Sequence, residues 1–205
     1  VHIIPNSIPD EISEKLSSQI KSPLDYRTVL MLSSLKSYKG IAEFIQLAYL
    51  LPQYYFTLVI NETEENINAF FKEQKLHISS NMQVYPRQKD IVPFYIHSSL
   101  VLNLSDKNRF VETSGLTVIE AIMAGLPVIV PTVGGISEVV KDGVNGYKID
   151  VQNLNDIVRK IDHILSDRKI YNQIRNNTLA MKPQFSAEHM ISSVLTVIYG
   201  NINLR

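Results

Sequence analysis

The sequence predicts an α/β domain whose mostly parallel sheet is flanked by helices. Three observations predict it. Short apolar runs alternate with helical patterns between residues 27 and 149. Polar loops, several marked by Gly or Pro, separate them. The run at 127–130 is nearly all apolar, as a strand covered on both faces requires. Strands that alternate with helices imply right-handed crossovers, and ligands then bind at the C-terminal strand ends.

The elements follow in order. Residues 1–4 read as a short strand closed by Pro5 and a turn at 6–10. Residues 11–26 are weakly patterned and suit a short helix and a loop. A β-branched and apolar strand is expected at 27–32, then a polar turn at 33–40 holding Lys36 and Lys39. Apolar residues recur at helical spacing over 41–51, and Pro52 stops that helix. Strands are expected at 56–60, 81–85, 100–104 and 127–130. Helices are expected near 62–75, 91–97 and 116–124, with a short one after Gly134-Gly135. The turn at 142–146, with its Asn145-Gly146 signal, leads to a last strand at 147–149. Helical stretches near 153–165, 167–181 and 186–199 complete the chain, with Pro183 between the last two. These have two open destinations: the sheet, or a return toward a domain outside the chain. The whole of 1–205 reads as one domain.

Composition narrows the function. The 205 residues are 45% hydrophobic, enough for a core, and 20 basic residues balance 20 acidic ones. A neutral chain has no general attraction for nucleic acid or anionic lipid. No cysteine is present, which excludes disulfides, zinc–thiolate sites and cysteine nucleophiles. Five histidines lack metal-ligand spacing and read as surface or packing residues. No signal-peptide pattern is visible, and no apolar run is long enough to cross a bilayer. The chain does not begin with Met, and its opening reads as an interior start.

The most informative segment is ETSGLTVIEAIMAGLPVIVP at 112–131. A helix that opens at Ser114, Gly115, Leu116 and Thr117 exposes unpaired amides that suit a phosphate. The same residues also read as a plain helix junction capped by Thr113 or Ser114. Glu120 offers a bidentate carboxylate to a vicinal diol, or completes a capping box with Thr117. Glu112 precedes the helix. Eight residues of helix span about 12 Å, so the two carboxylates suit opposite ends of a diphosphate rather than one reacting bond. Lys39 or Lys36 can supply a point charge to that diphosphate, or be solvated loop lysines. Lys39 precedes a helix start, where a cation opposes the dipole. Arg87 sits in a strand-end loop, facing a base or solvent. Gly134-Gly135 marks a close approach of backbone to ligand, or a tight turn. The aromatic residues at 54–56, 70–71 and 94–95 read as packing. No Walker A loop is present.

Together these segments resemble a known family. IPNSIPD at 4–10, LKSYKG at 35–40, the Glu112–Glu120 pair, EAIMAGLPVIVP, GGISEVV and DGVNGYKI stand in its order and spacing. The chain looks like the C-terminal, donor-binding half of a retaining GT-B glycosyltransferase of glycosyltransferase family 4 (glycosyl transferases group 1). The resemblance implies a Rossmann-like sheet and a nucleotide-diphosphate sugar, UDP- or GDP-linked, as donor. It implies that Glu120 holds the ribose and Glu112 lies by the donor sugar. Amides around Gly115, Leu116 and Thr117 would face sugar and diphosphate, Lys39 would bind phosphate, and the loop at Arg87 would border the base. No cofactor and no divalent metal are expected. Ser34 stands where the family usually carries an arginine paired with that lysine, and Lys36 is the nearest replacement. Thr113-Ser114 stands where Gly-Phe is commoner.

The resemblance further implies a glycan or lipid-linked acceptor, bound by an N-terminal domain outside this chain. The last helix would pack back toward that domain. Work in the cytoplasm follows from the same likeness, with peripheral association at the inner membrane face. Catalysis in this fold sits between two domains, so this chain alone is expected to be inactive. The competing readings are an inactive sugar-nucleotide-binding module and a nucleotide-sugar epimerase.

Overall fold

The computed structural model describes residue 4 and residues 6–18, 23–113 and 115–200. Apart from Ile4, the strand expected at 1–4 lies outside them, as does Ser114. Six strands form one parallel sheet: β1 (Thr28–Ser33), β2 (Tyr55–Ile60), β3 (Met82–Tyr85), β4 (Leu100–Leu102), β5 (Val128–Val130) and β6 (Gly146–Lys148). Their spatial order is β3-β2-β1-β4-β5-β6. The chain therefore winds outward from β1 to β3, then returns to lay β4 against the other side of β1.

Helices α1 (Asp10–Ser18), α2 (Ile41–Leu50), α3 (Glu64–Glu73), α4 (Val92–Ile96) and α5 (Leu116–Met123) alternate with the strands. They are followed by α6 (Gly135–Glu138), α7 (Leu154–Ser166), α8 (Arg168–Ala180) and α9 (Ala187–Gly200). The expected elements are present with shifts of one or two residues at their ends. The strand expected at 100–104 stops at Leu102, because the chain turns there into the loop that lines the site.

The sheet is apolar on both faces, and β-strand alternation explains why. Val29 and Met31 of β1 join Leu100, Leu102 and Ile129 on one face, covered by α2, α3 and α7. Leu30 joins Val59, Val101, Val128 and Val130 on the other, covered by α1, α4 and α5. Val118, Ile119 and Ile122 of α5 are each buried, and burial of such side chains stabilises by about 2 kcal/mol apiece. Tyr171 of α8 is fully buried and its hydroxyl donates to the Ser99 carbonyl at 2.9 Å. That bond ties α8 to the start of β4.

The turn expected at 142–146 leads into β6, which runs parallel to β5. Asn145 within it is fully buried: its Oδ1 accepts from the Lys141 amide at 2.7 Å and its Nδ2 donates to the Val139 carbonyl at 3.2 Å. It closes the loop before β6 from inside. Helix α9 buries none of its residues on the sheet, and Ile191, Val194, Leu195, Ile198 and Tyr199 remain exposed along it.

Replacing Asn145 by Ala strands a buried amide and a carbonyl. A loss of about 1–3 kcal/mol in urea unfolding is expected for Asn145→Ala, with the m-value unchanged.

Candidate functional site

The order of the strands creates the site. β1 and β4 are neighbours in the sheet, but the chain leaves β1 toward α2 and leaves β4 toward α5. A crevice opens between diverging connections at such a switch point. Ser33 ends β1 and Ser34 follows it, Asn61 follows β2, and Asn103, Leu104 and Ser105 follow β4. All six line a cavity of about 450 Å³, together with Lys39, Gln88, Glu112, Gly115, Leu116, Thr117 and Glu120.

Helix α5 points its start into this cavity. Gly115 is its N-cap, in the left-handed region at φ 45°. A Cβ there would lie 1.7 Å from Ile136 Cγ2, so glycine is required by both conformation and packing. Among the described residues no side chain caps the helix, which leaves first-turn amides for a ligand or water. The expected Thr117–Glu120 capping box is not formed. Glu120 turns inward, where the Tyr95 hydroxyl donates to its Oε2 at 2.5 Å.

Tyr95 is fully buried beneath α5, with its hydroxyl also 3.2 Å from the Thr117 carbonyl. Burial pushes the Glu120 carboxyl above the ordinary carboxylate range, and the Tyr95 bond opposes that rise. Burial, then the charge of Glu120, raises the Tyr95 phenol well above its ordinary value. Tyr95 therefore remains a donor across the accessible pH range. In the sequence it reads only as packing, since nothing in an apolar helix signals which hydroxyl meets a carboxylate from another element.

Lys39 and Glu112 meet across the cavity. Lys39 Nζ donates to Glu112 Oε2 at 2.5 Å, and the side chains are 15% and 16% exposed. The ammonium also lies 4.1 Å from the Phe110 ring centroid. The cation that opposes the α2 dipole thus has its anion inside the protein.

The loop bearing Glu112 is strapped on both sides. The Asp106 amide donates to the Tyr38 carbonyl, the Tyr38 and Phe110 rings stack at 5.0 Å, and Arg109 Nη2 donates to Ser37 Oγ. On the other side Lys107 pairs with Asp150, which also accepts from Thr132. Burial pushes the Asp150 carboxyl up, but its bonds to Lys107 and Thr132 outweigh that and hold it below the ordinary range. Beneath the loop lie Gly134 and Gly135. A Cβ on Gly134 would approach the Glu112 carbonyl oxygen to 2.3 Å, and one on Gly135 would approach that of Thr113 to 2.0 Å. The neighbour of Gly134-Gly135 is thus not a ligand but the protein's own backbone, at Glu112 and Thr113.

Ser34, Lys39, Glu112, Gly115, Leu116, Thr117 and Glu120 thus converge on one cavity. Lys36 is exposed and does not line it; nor does Arg87, which is exposed with Nε donating to Asn61 Oδ1 at 2.8 Å. Sequence reasoning missed Asn61, Gln88, Asn103 and Ser105. Ser105 Oγ is buried and, among the described residues, has no hydrogen-bond partner. A lone serine in a polar loop gives no such signal before the fold is known. No group of three or more His, Asp or Glu residues able to hold a metal occurs among the described residues.

The sequence model for glycosyl transferases group 1 matches residues 12–181. The chain belongs to that family. An uncharacterized glycosyltransferase of Haemophilus influenzae is 28% identical over 174 residues, 82% of this chain. The chain spans 48% of that relative's length, about half. The structure superposes on Anabaena HepE, solved with UDP and glucose, with a TM-score of 0.70 at 21% identity, covering 97% of this chain and 54% of that one. It also matches the C-terminal domain of a glycosyl transferase group 1 family protein (LpcC) of Francisella tularensis. There the TM-score is 0.64 at 21% identity, over 87% of this chain and 92% of that one. The fold is a Rossmann-like domain of the GT-B type.

The buried carboxyl of Glu120 sets a pH signature. Its folded pKa lies above its unfolded value of 4.5, so the folded state holds the proton longer. Its contribution to stability is full below 4.5 and is lost as pH rises through the folded value. Glu120→Gln removes that loss. Its urea midpoint is expected above wild type at pH 7, with the difference vanishing below pH 4.5.

Proposed function

We propose that this chain is the donor-binding, C-terminal half of a retaining glycosyltransferase that uses a nucleotide-diphosphate sugar. The observation that carries the reading is the convergence of Glu120, Lys39, Glu112 and the open start of α5 at one sheet switch point. Its support from comparison is the family match, the likeness to a family member's C-terminal domain, and a similarly folded protein solved with UDP and glucose.

In this reading Glu120 grips the ribose. Tyr95 already takes its Oε2, which fixes the carboxylate and leaves Oε1 for a diol. First-turn amides of α5 and the Lys39 ammonium face the diphosphate, where leaving-group charge grows in the transition state. Glu112 lies beside the sugar and accepts from its hydroxyls. Ser34 and the Ser105 hydroxyl offer further polar contacts. Arg87, held by Asn61, borders the base from outside the cavity. Lys36 reaches the diphosphate only if its exposed side chain swings inward. No cofactor or metal enters the reading, and departure of the diphosphate from one face of the sugar needs no enzyme nucleophile.

The acceptor is a glycan or lipid-linked sugar bound by an N-terminal domain of the longer protein. The exposed apolar residues of α9 are the surface on which that domain packs. The parent protein works in the cytoplasm, peripherally at the inner membrane face.

Calorimetry of the chain with UDP, GDP and ADP tests the reading. One nucleoside diphosphate is expected to bind, and Glu120→Gln to weaken it about 10- to 150-fold while leaving inorganic pyrophosphate unaffected, because a lost charge-assisted pair to a diol is worth about 1.5–3 kcal/mol. Binding of none of the three, or an equal weakening of pyrophosphate and the nucleoside diphosphate by Glu120→Gln, refutes it. In the full-length protein, Lys39→Ala is expected to lower kcat about 100-fold, more than it weakens nucleotide binding. Unchanged turnover rejects that role.

A further inference from the structure

We infer that Glu112 is an internal competitor for Lys39, biasing the site toward an intact nucleotide-sugar and against free nucleoside diphosphate. The inference rests on the donor-binding reading and concerns the same site. Its starting point is the 2.5 Å pair between Lys39 Nζ and Glu112 Oε2 within the cavity lining. The pair is sheltered from solvent, so neither charge is matched cheaply by water once its partner leaves. The ammonium is held in place by the Phe110 ring. The backbone that carries the carboxylate packs closely on Gly134.

The ionisable side chains lining the cavity are Lys39, Glu112 and Glu120, one cation against two acids. A diphosphate that reaches Lys39 displaces Glu112 and then faces it as a like charge. What happens next depends on the ligand. An intact donor brings sugar hydroxyls to Glu112, which donate to the freed carboxylate. A free nucleoside diphosphate brings none, so Glu112 loses Lys39 and gains nothing. The difference between the two ligands is therefore set by a residue that opposes one of them. In a transferase the same bias favours release of the spent nucleotide.

The test is calorimetry of the chain and of Glu112→Gln with UDP, GDP, UDP-glucose and GDP-mannose. Glu112→Gln is expected to tighten the free diphosphate about three- to tenfold, the size of a sheltered ion pair's net worth, and to leave the sugar-linked form unchanged or weaker. Glu112→Ala is expected to tighten the free diphosphate in the same direction. Glu138→Gln, which removes the same charge from an exposed position on α6, is expected to change neither. The inference is overturned if Glu112→Gln binds the free diphosphate no better than wild type. It also falls if both ligand forms gain equally, or if Glu138→Gln gives the same gain. Absence of binding by every nucleotide to every variant overturns the donor-binding reading instead.

Discussion

Everything at the site depends on β1 and β4 being neighbours in the sheet but not in the chain. Parallel strands that adjoin across a reversal of winding cannot share a connection, so their loops part and leave a crevice. The residues just past β1, β2 and β4 are then cavity residues by topology rather than by any property of their own. Ser34, Asn61 and Asn103 reach the same space from three separate loops for this reason. The apolar strands beneath are what hold the crevice to a fixed width. Their side chains fill both faces of the sheet, leaving only the loop ends polar.

Within that frame the two carboxylates have opposite supports. Glu120 lies on a rigid helix and is fixed from below by a buried phenol. Its carboxyl is destabilised by burial, a cost tolerated at a site rather than in a core. Glu112 lies on a loop and is fixed by backbone packing on two glycines. Its side chain is free to change partners while its backbone stays. One carboxylate is thus supported by a helix and a buried phenol, the other by the backbone of a loop.

The loop of residues 105–113 joins these parts. Bonds to the turn at 37–39 place Phe110 over Lys39. Bonds to Asp150 and Thr132 anchor the loop to the ends of β5 and β6. Cation and carboxylate therefore arrive from different loops yet meet at hydrogen-bond distance. The exposed apolar residues of α9 stand apart from the cavity.

Much of this was legible before the fold. Apolar runs too short for helices and buried on both faces named the parallel sheet, because β alternation leaves no other way to hide them. The Gly115 helix start and the acids at 112 and 120, singled out because their chemistry is local, line one cavity. The partners were not legible. Tyr95 beneath Glu120 and Gly134 beneath Glu112 each meet a residue distant in the chain. The sequence shows the groups a residue carries, whereas the group opposite it is chosen by packing. Lys39 shows the division most plainly: its charge and place after β1 are written locally, but its pairing with Glu112 exists only because the sheet brings two loops together.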